Sequence, residues 1–138
     1  MVKSGQFEIE PEGFGDILDI TGEVARIVAG SGLDAGIAIV FVTGSTAGIT
    51  AMEYEPGAVE DLKKAIDPQA PVETHYDHDA RWGDGSGFSH VRSALMGASI
   101  TVPFNTKKLA LGTWQQIILC DFDNRLRKRR ILVQMLGE

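Results

Sequence analysis

Two stretches near the C-terminus decide the fold class: Leu109–Phe122, LALGTWQQIILCDF, and Arg129–Glu138, RRILVQMLGE. Both concentrate Ile, Leu and Val in short runs bounded by polar residues, which is the composition of strands rather than helices. The residues between them, from Asp123 to Lys128, are polar and read as a connection, so the pair is expected to form a hairpin that makes up much of a sheet. Trp114 and Gln115 fall inside the first strand pattern on this reading.

Working outward, Ser99–Phe104 reads as another strand and His90–Met96 as a short helix. Residues 68–89 show no periodicity and read as a long irregular loop, the kind that is often functional in a compact domain. Before it, AVEDLKKAI, following Pro56, is amphipathic: Val59, Leu62 and Ile66 share a face, and Glu60 precedes Lys64 by one turn. The run GIAIVFVT from Gly36 is apolar at consecutive positions and predicts a central strand covered on both faces. The stretch Gly44 to Glu53 then reads as a second strand or an extended loop. Thr21 is the expected N-cap of a helix over residues 22–31. Gln6–Glu10 suits an edge strand, and after the turn at Pro11, Gly13 and Gly15 a strand at Asp16–Ile20 is expected to pair back on it. The expected architecture is α+β: one domain over residues 1–138 with a mixed, largely antiparallel sheet and two or three helices.

Composition narrows the function. With 138 residues, 43% hydrophobic and 23% charged, the chain suits one globular domain. A formal net charge of -6 argues against nucleic acid, which calls for clustered positive charge. The one basic cluster, Arg125, Arg127, Lys128, Arg129 and Arg130, is either a solvated strand entry or an anion site. A single cysteine, Cys120, excludes an intramolecular disulfide and two-cysteine metal motifs. No apolar segment approaches a membrane span and the start has no signal-like pattern, so a cytoplasmic location without membrane contact is expected.

The chemical signal is concentrated in HYDHDARWGDGSGFSH, where His75, His78 and His90 lie among Asp77, Asp79 and Asp84. Imidazoles and carboxylates bind divalent metals where thiolates are absent, and they perform acid–base work near neutral pH. The spacing matches no compact metal motif, and the plainer reading is a polar surface loop. GSTAGIT follows a strand with small and hydroxylated residues, so Ser45, Thr46 and nearby backbone N–H groups are candidate phosphate donors; the plainer reading there is a tight connection. Glu53 either faces solvent or projects into a site. Gln115 would need partners if buried.

These pieces together resemble the YjbQ-like family. GSTAGITAME, Tyr76 to His78, SHVRSALMG, LGTWQ and RRILVQMLGE stand in the family's order over residues 36–138. The resemblance implies an α+β fold that assembles as homotrimers and a thiamine-phosphate synthase-like activity on phosphorylated small molecules. It implies catalytic roles for His78, His90, Glu53 and Gln115 and phosphate contacts from Ser45, Thr46, Arg129 and Arg130. A divalent metal, zinc or magnesium, would be held by His78, His90 and His75. Of Arg129 and Arg130 only one can face the site, because neighbouring strand residues point to opposite sides. One departure stands out: the family usually begins the small-residue motif with histidine, where this chain has Gly44. A metal- or metabolite-binding module without turnover is the alternative.

Overall fold

Strand β7 (Gln116–Asp121) lies at the centre of the molecule and is buried along almost its whole length. The computed structural model describes residues 1–138 and contains eight strands and four helices, one or two more helices than expected. Strands β1 (Val2–Ile9), β3 (Gly36–Val42), β5 (Ser99–Asn105), β6 (Lys108–Leu109) and β8 (Arg129–Gly137) form one sheet in the order β1-β8-β3-β5-β6. Strands β2 (Asp16–Asp19), β4 (Ala47–Met52) and β7 form a second sheet in the order β2-β7-β4. Every pairing is antiparallel.

The expected hairpin of β7 with β8 does not form, because the two strands belong to different sheets. The reason lies in the alternation of β7. Ile117 and Leu119 face the main core between the sheets, while Ile118 and Cys120 face a second cluster. A strand apolar on both faces needs a layer on each side. Its second face is covered by α2 (Pro56–Ile66) and α4 (Gly87–Met96), whose Val59, Leu62, Ile66 and Met96 pack against that cluster. The chain after β7 crosses to the other sheet and enters β8 between β1 and β3.

Other expectations are corrected by the same layering. Strand β2 pairs with β7 rather than β1, since Gly13 and Gly15 adopt φ of +83° and +81° and the turn between them docks on Asp121 and Asp123 carbonyls. Thr21 is the first residue of α1 (Thr21–Ala29), not its cap. Its hydroxyl accepts a hydrogen bond from the β7 amide of Ile117 at 2.8 Å, which ties the helix start to the sheet. The stretch 68–89 is not wholly irregular: it holds α3 (Asp77–Trp82) and the start of α4. Trp114 and Gln115 lie in a turn before β7, both exposed.

Strand β3 is covered on one face only. Ala38, Val40 and Val42 are fully buried, whereas Ile37 and Phe41 are 39% and 40% exposed. Ladder rows on that outer face run from Val2–Leu136–Ile37–Pro103 through Ser4–Gln134–Ile39–Thr101 to Gln6–Leu132–Phe41–Ser99. None of these twelve side chains is charged. Helix α4 is held against β4 on the other side of the molecule, where the Ser93 hydroxyl donates to the Ala47 carbonyl at 2.6 Å. Gly48 makes this approach feasible, because a Cβ there would sit 2.8 Å from the Met96 sulfur.

Candidate functional site

The crossing from β7 to β8 brings opposite charges together in the interior. Arg129, 3% exposed at the start of β8, donates through Nε and Nη2 to the two carboxylate oxygens of fully buried Asp121 at 2.9 and 3.0 Å. The forked geometry of guanidinium and carboxylate makes this a strong pair. Nη2 also donates to the Thr46 hydroxyl at 2.7 Å, and that hydroxyl donates to Asp123 at 2.9 Å. Burial opposes the charge of Asp123, but the Arg127 guanidinium, the Thr46 hydroxyl and the Arg125 amide outweigh it and hold the carboxyl below its usual range.

This network forms the floor of an open cleft of ≈ 310 Å³. Gly44, Ser45 and Thr46 supply one wall, Asp84, Ser86 and His90 the other, with Asp123, Arg127 and Arg129 beneath. Three nitrogen positions of Arg129 have different fates: Nε and Nη2 are engaged, while Nη1 makes no hydrogen bond within the protein. Gly44 keeps that nitrogen uncovered. Its φ of +120° suits only glycine, and a Cβ at residue 44 would lie 3.0 Å from Nη1.

On the opposite wall, the N-terminal part of α4 presents His90, and the first turn of α3 places His78 beside it. Their ring centroids are 4.5 Å apart. The His78 Nδ1 lies 3.3 Å from an Asp79 oxygen and 3.4 Å from an Asp84 oxygen. Hydrogen bonding from the Ser86 backbone, with a smaller contribution from His78, holds the half-buried Asp84 carboxyl below its usual range. His78, Asp79 and Asp84 each offer one atom within 4.8 Å of the others, a set that can hold a divalent cation.

The site residues expected from the sequence are thus divided. Ser45, Thr46, His90 and Arg129 meet in the cleft, and His78 reaches it through Asp84. The Thr46 hydroxyl serves Arg129 and Asp123, so it is part of the floor's internal network. Arg130 is exposed on the other side of β8, so Arg129 is the inward arginine. The imidazole of His75 pairs with Asp77 at 3.1 Å and is 76% exposed, away from the His78 cluster. Asp79 and Asp84 stand with His78 in place of the expected three-histidine set. Glu53 and Gln115 are exposed near the far end of the β4–β7 pair, where Met52 is opposite Gln116, whereas the cleft lies at the end where Ala47 is opposite Asp121. The Gln115 amide oxygen accepts from Gly112 at 3.1 Å.

Sequence reasoning missed Asp121 and Asp123, and it named Arg127 only as one member of the basic cluster. The signal present was DFD, two acids closing an apolar run, eight and six residues before Arg129. Buried carboxylates call for a cation, and the basic cluster was the nearest supply.

A family model described as "UPF0047 protein YjbQ-like" matches residues 5–138. A UPF0047 protein of Methanothermobacter thermautotrophicus is 36% identical over 123 residues, covering 89% of this chain and 84% of that one. The UPF0047 protein YugU of Bacillus subtilis is 34% identical, covering 88% and 90%. Among solved structures, a YbjQ-like protein of unknown function from Sulfolobus solfataricus superposes with a TM-score of 0.94 at 33% identity, covering 100% of this chain and 99% of that one. A hypothetical protein from Aeropyrum pernix gives 0.90 at 29% identity, with 99% of each chain covered. No helix of the chain is long and apolar enough to cross a membrane.

Proposed function

The chain belongs to the UPF0047 YjbQ-like family, and on that premise we propose that its cleft is an active site for a phosphorylated small molecule assisted by a divalent cation. The observation that carries this reading is the free Nη1 of a nearly buried arginine in a polar cleft whose other wall holds Asp84, the carboxylate that the cleft shares with the cluster of His78, Asp79 and Asp84. A free donor on a desolvated guanidinium favours an anion. A carboxylate–imidazole cluster across the same cleft favours a cation, and a phosphate with its counter-ion satisfies both.

The specific reaction we propose is the one the family resemblance implies: a thiazole phosphate is joined to an aminopyrimidine diphosphate with release of pyrophosphate. A bound magnesium or zinc ion would neutralise charge on the departing pyrophosphate. Arg129 would orient a phosphate through Nη1, and Ser45 would offer it a hydroxyl. His90, whose ring makes no hydrogen bond within the protein, would donate a proton to the departing pyrophosphate, since the attacking thiazole nitrogen carries none to lose. Arg127, anchored by Nε to Asp123, has its two terminal nitrogens left for the ligand.

A second reading, a metal- and metabolite-binding module without turnover, is favoured by Gly44, which stands where the family usually has histidine. Calorimetric titration with pyrophosphate and thiamine phosphate, with and without magnesium, manganese or zinc, tests the binding. Cation-dependent binding that Asp84→Asn weakens is expected. Wild-type protein that binds neither anion with any of the three cations refutes the proposal. Incubation with both thiamine precursors then separates the readings, since product identifies the enzyme and binding without product the module. We further propose that the chain assembles as a homotrimer, for which the uncharged outer face of the larger sheet offers a surface.

A further inference from the structure

Away from the cleft, two cavities open between the smaller sheet and its covering helices. One, of ≈ 110 Å³, is apolar, with Ile66, Ala70, Leu95, Met96 and Phe122 around it. Its neighbour, of ≈ 220 Å³, is polar and carries Glu60, Lys63 and Asp67 from α2 and its end. Ile66, Arg92 and Phe122 line both.

Arg92 is 8% exposed. Its Nε donates to the Ala70 carbonyl at 2.9 Å, its Nη2 to Asp67 at 3.2 Å, and its guanidinium carbon lies 5.3 Å from the centre of the Phe88 ring. Nη1 makes no hydrogen bond within the protein. No fully buried polar side-chain atom of the protein lacks a partner, so this unpaired nitrogen is the part of the guanidinium that reaches open space. It sits on a group shared by an apolar and a polar space. Lys63 adds a second positive charge with no ion pair, since the paired Lys and Arg side chains are Arg92, Arg127, Lys128 and Arg129. Of the two carboxylates facing the polar cavity, Asp67 is already engaged by Arg92 and Glu60 is the one that opposes.

We infer that the two cavities, which share Ile66, Arg92 and Phe122 in their walls, together bind a short aliphatic carboxylate, its tail among Ile66, Leu95, Met96 and Phe122 and its head on Arg92 Nη1 and Lys63. This site is independent of the proposed cleft chemistry. The division of labour is that of ordinary small-molecule sites, in which apolar walls supply burial and a few polar groups set orientation.

The test is nuclear magnetic resonance titration of isotope-labelled protein with hexanoate, hexanol and hexylamine, three ligands with the same tail. Hexanoate should move the Arg92 Nε–H signal and the amides around Ala70 and Met96 in a saturable way, leaving His78 and His90 unmoved. Hexanol should bind about tenfold more weakly, the loss expected for one hydrogen bond to a charged group. Lys63→Gln should weaken hexanoate several-fold. Leu95→Glu, at a side chain 63% exposed and so tolerable to the fold, should repel it by placing a carboxylate at the mouth. Equal affinity for hexanol overturns the assignment of the head group, and tighter binding of hexylamine assigns the site to a cation through Glu60. Shifts that fail to saturate, or that fall elsewhere, overturn the site itself.

Discussion

Replacing Asp121 with alanine should cost more stability than any change on the surface. The Asp121 side chain is fully buried and the side chain of its partner Arg129 is 4% exposed. The substitution removes two hydrogen bonds of 2.9 and 3.0 Å to the guanidinium and one of 2.9 Å accepted from the Asp123 amide. What remains is a guanidinium hydrogen-bonded to the Thr46 hydroxyl, with the Asp123 carboxylate 3.9 Å away as its one other charged neighbour, in an interior that solvates charge poorly. Orphaning one member of a buried pair costs roughly 3–5 kcal/mol, a large share of the roughly 5–15 kcal/mol that stabilises a domain. Urea denaturation followed by circular dichroism reads this directly. At a slope of about 2 kcal/mol per molar, the midpoint should fall by roughly 1.5–2.5 M. The double variant Asp121→Leu/Arg129→Met should lose much less than the two single changes added together, because it removes both charges from the interior. A loss below about 1 kcal/mol for Asp121→Ala would show that the pair does not tie β7 to β8 in the way its geometry implies.

Gly44→Ala should destabilise the fold by about 1–3 kcal/mol, since it forces a side chain into φ +120°, and it should weaken pyrophosphate binding by crowding Arg129 Nη1; unchanged binding would place the anion elsewhere. Asp84→Asn should abolish stoichiometric divalent-metal binding while His75→Ala leaves it intact, and wild-type affinity should fall on acidification because His78 must be neutral to ligate. Equal metal content in both variants would remove the site. Asp123 is held below the usual carboxylate range, so its contribution to stability is present above the unfolded-state value and is lost as pH falls through the lower folded value. Asp123→Asn should therefore flatten the acid limb of the stability profile, and a profile parallel to wild type would contradict this. Light scattering at micromolar concentration should report three times the chain mass, and Phe41→Glu on the outer sheet face should yield monomers; a monomeric wild type would refute the assembly.

Local pattern was sufficient for much of this chain. The helix at Pro56–Ile66 was legible because Val59, Leu62 and Ile66 recur at helical spacing, and the strands at Gly36, Ser99 and Arg129 because β-branched runs are bounded by turn residues. The concentration of histidine and aspartate between residues 75 and 90 contains the three groups, His78, Asp79 and Asp84, that the fold brings together. Which of those groups converge was not legible. His75 and His78 are three residues apart and differ in fate because α3 begins between them, at Asp77. Sheet membership was likewise invisible: β7 and β8 both read as strands, but pairing depends on what covers each face, and only α2 and α4 packing behind Ile118 and Cys120 explains why β7 left β8 for a separate sheet. The sequence by itself determined the types of most elements, though not α3, together with the acidic balance and the residue classes available for chemistry, since these follow from propensity and composition. The tertiary structure alone decided that Arg129 rather than Arg130 faces the cleft, that Asp121 neutralises it, and that Gly44 leaves one of its nitrogens free. Those relations join residues far apart in the chain, and burial makes them matter, because a charge removed from water must find its partner wherever the fold has placed one.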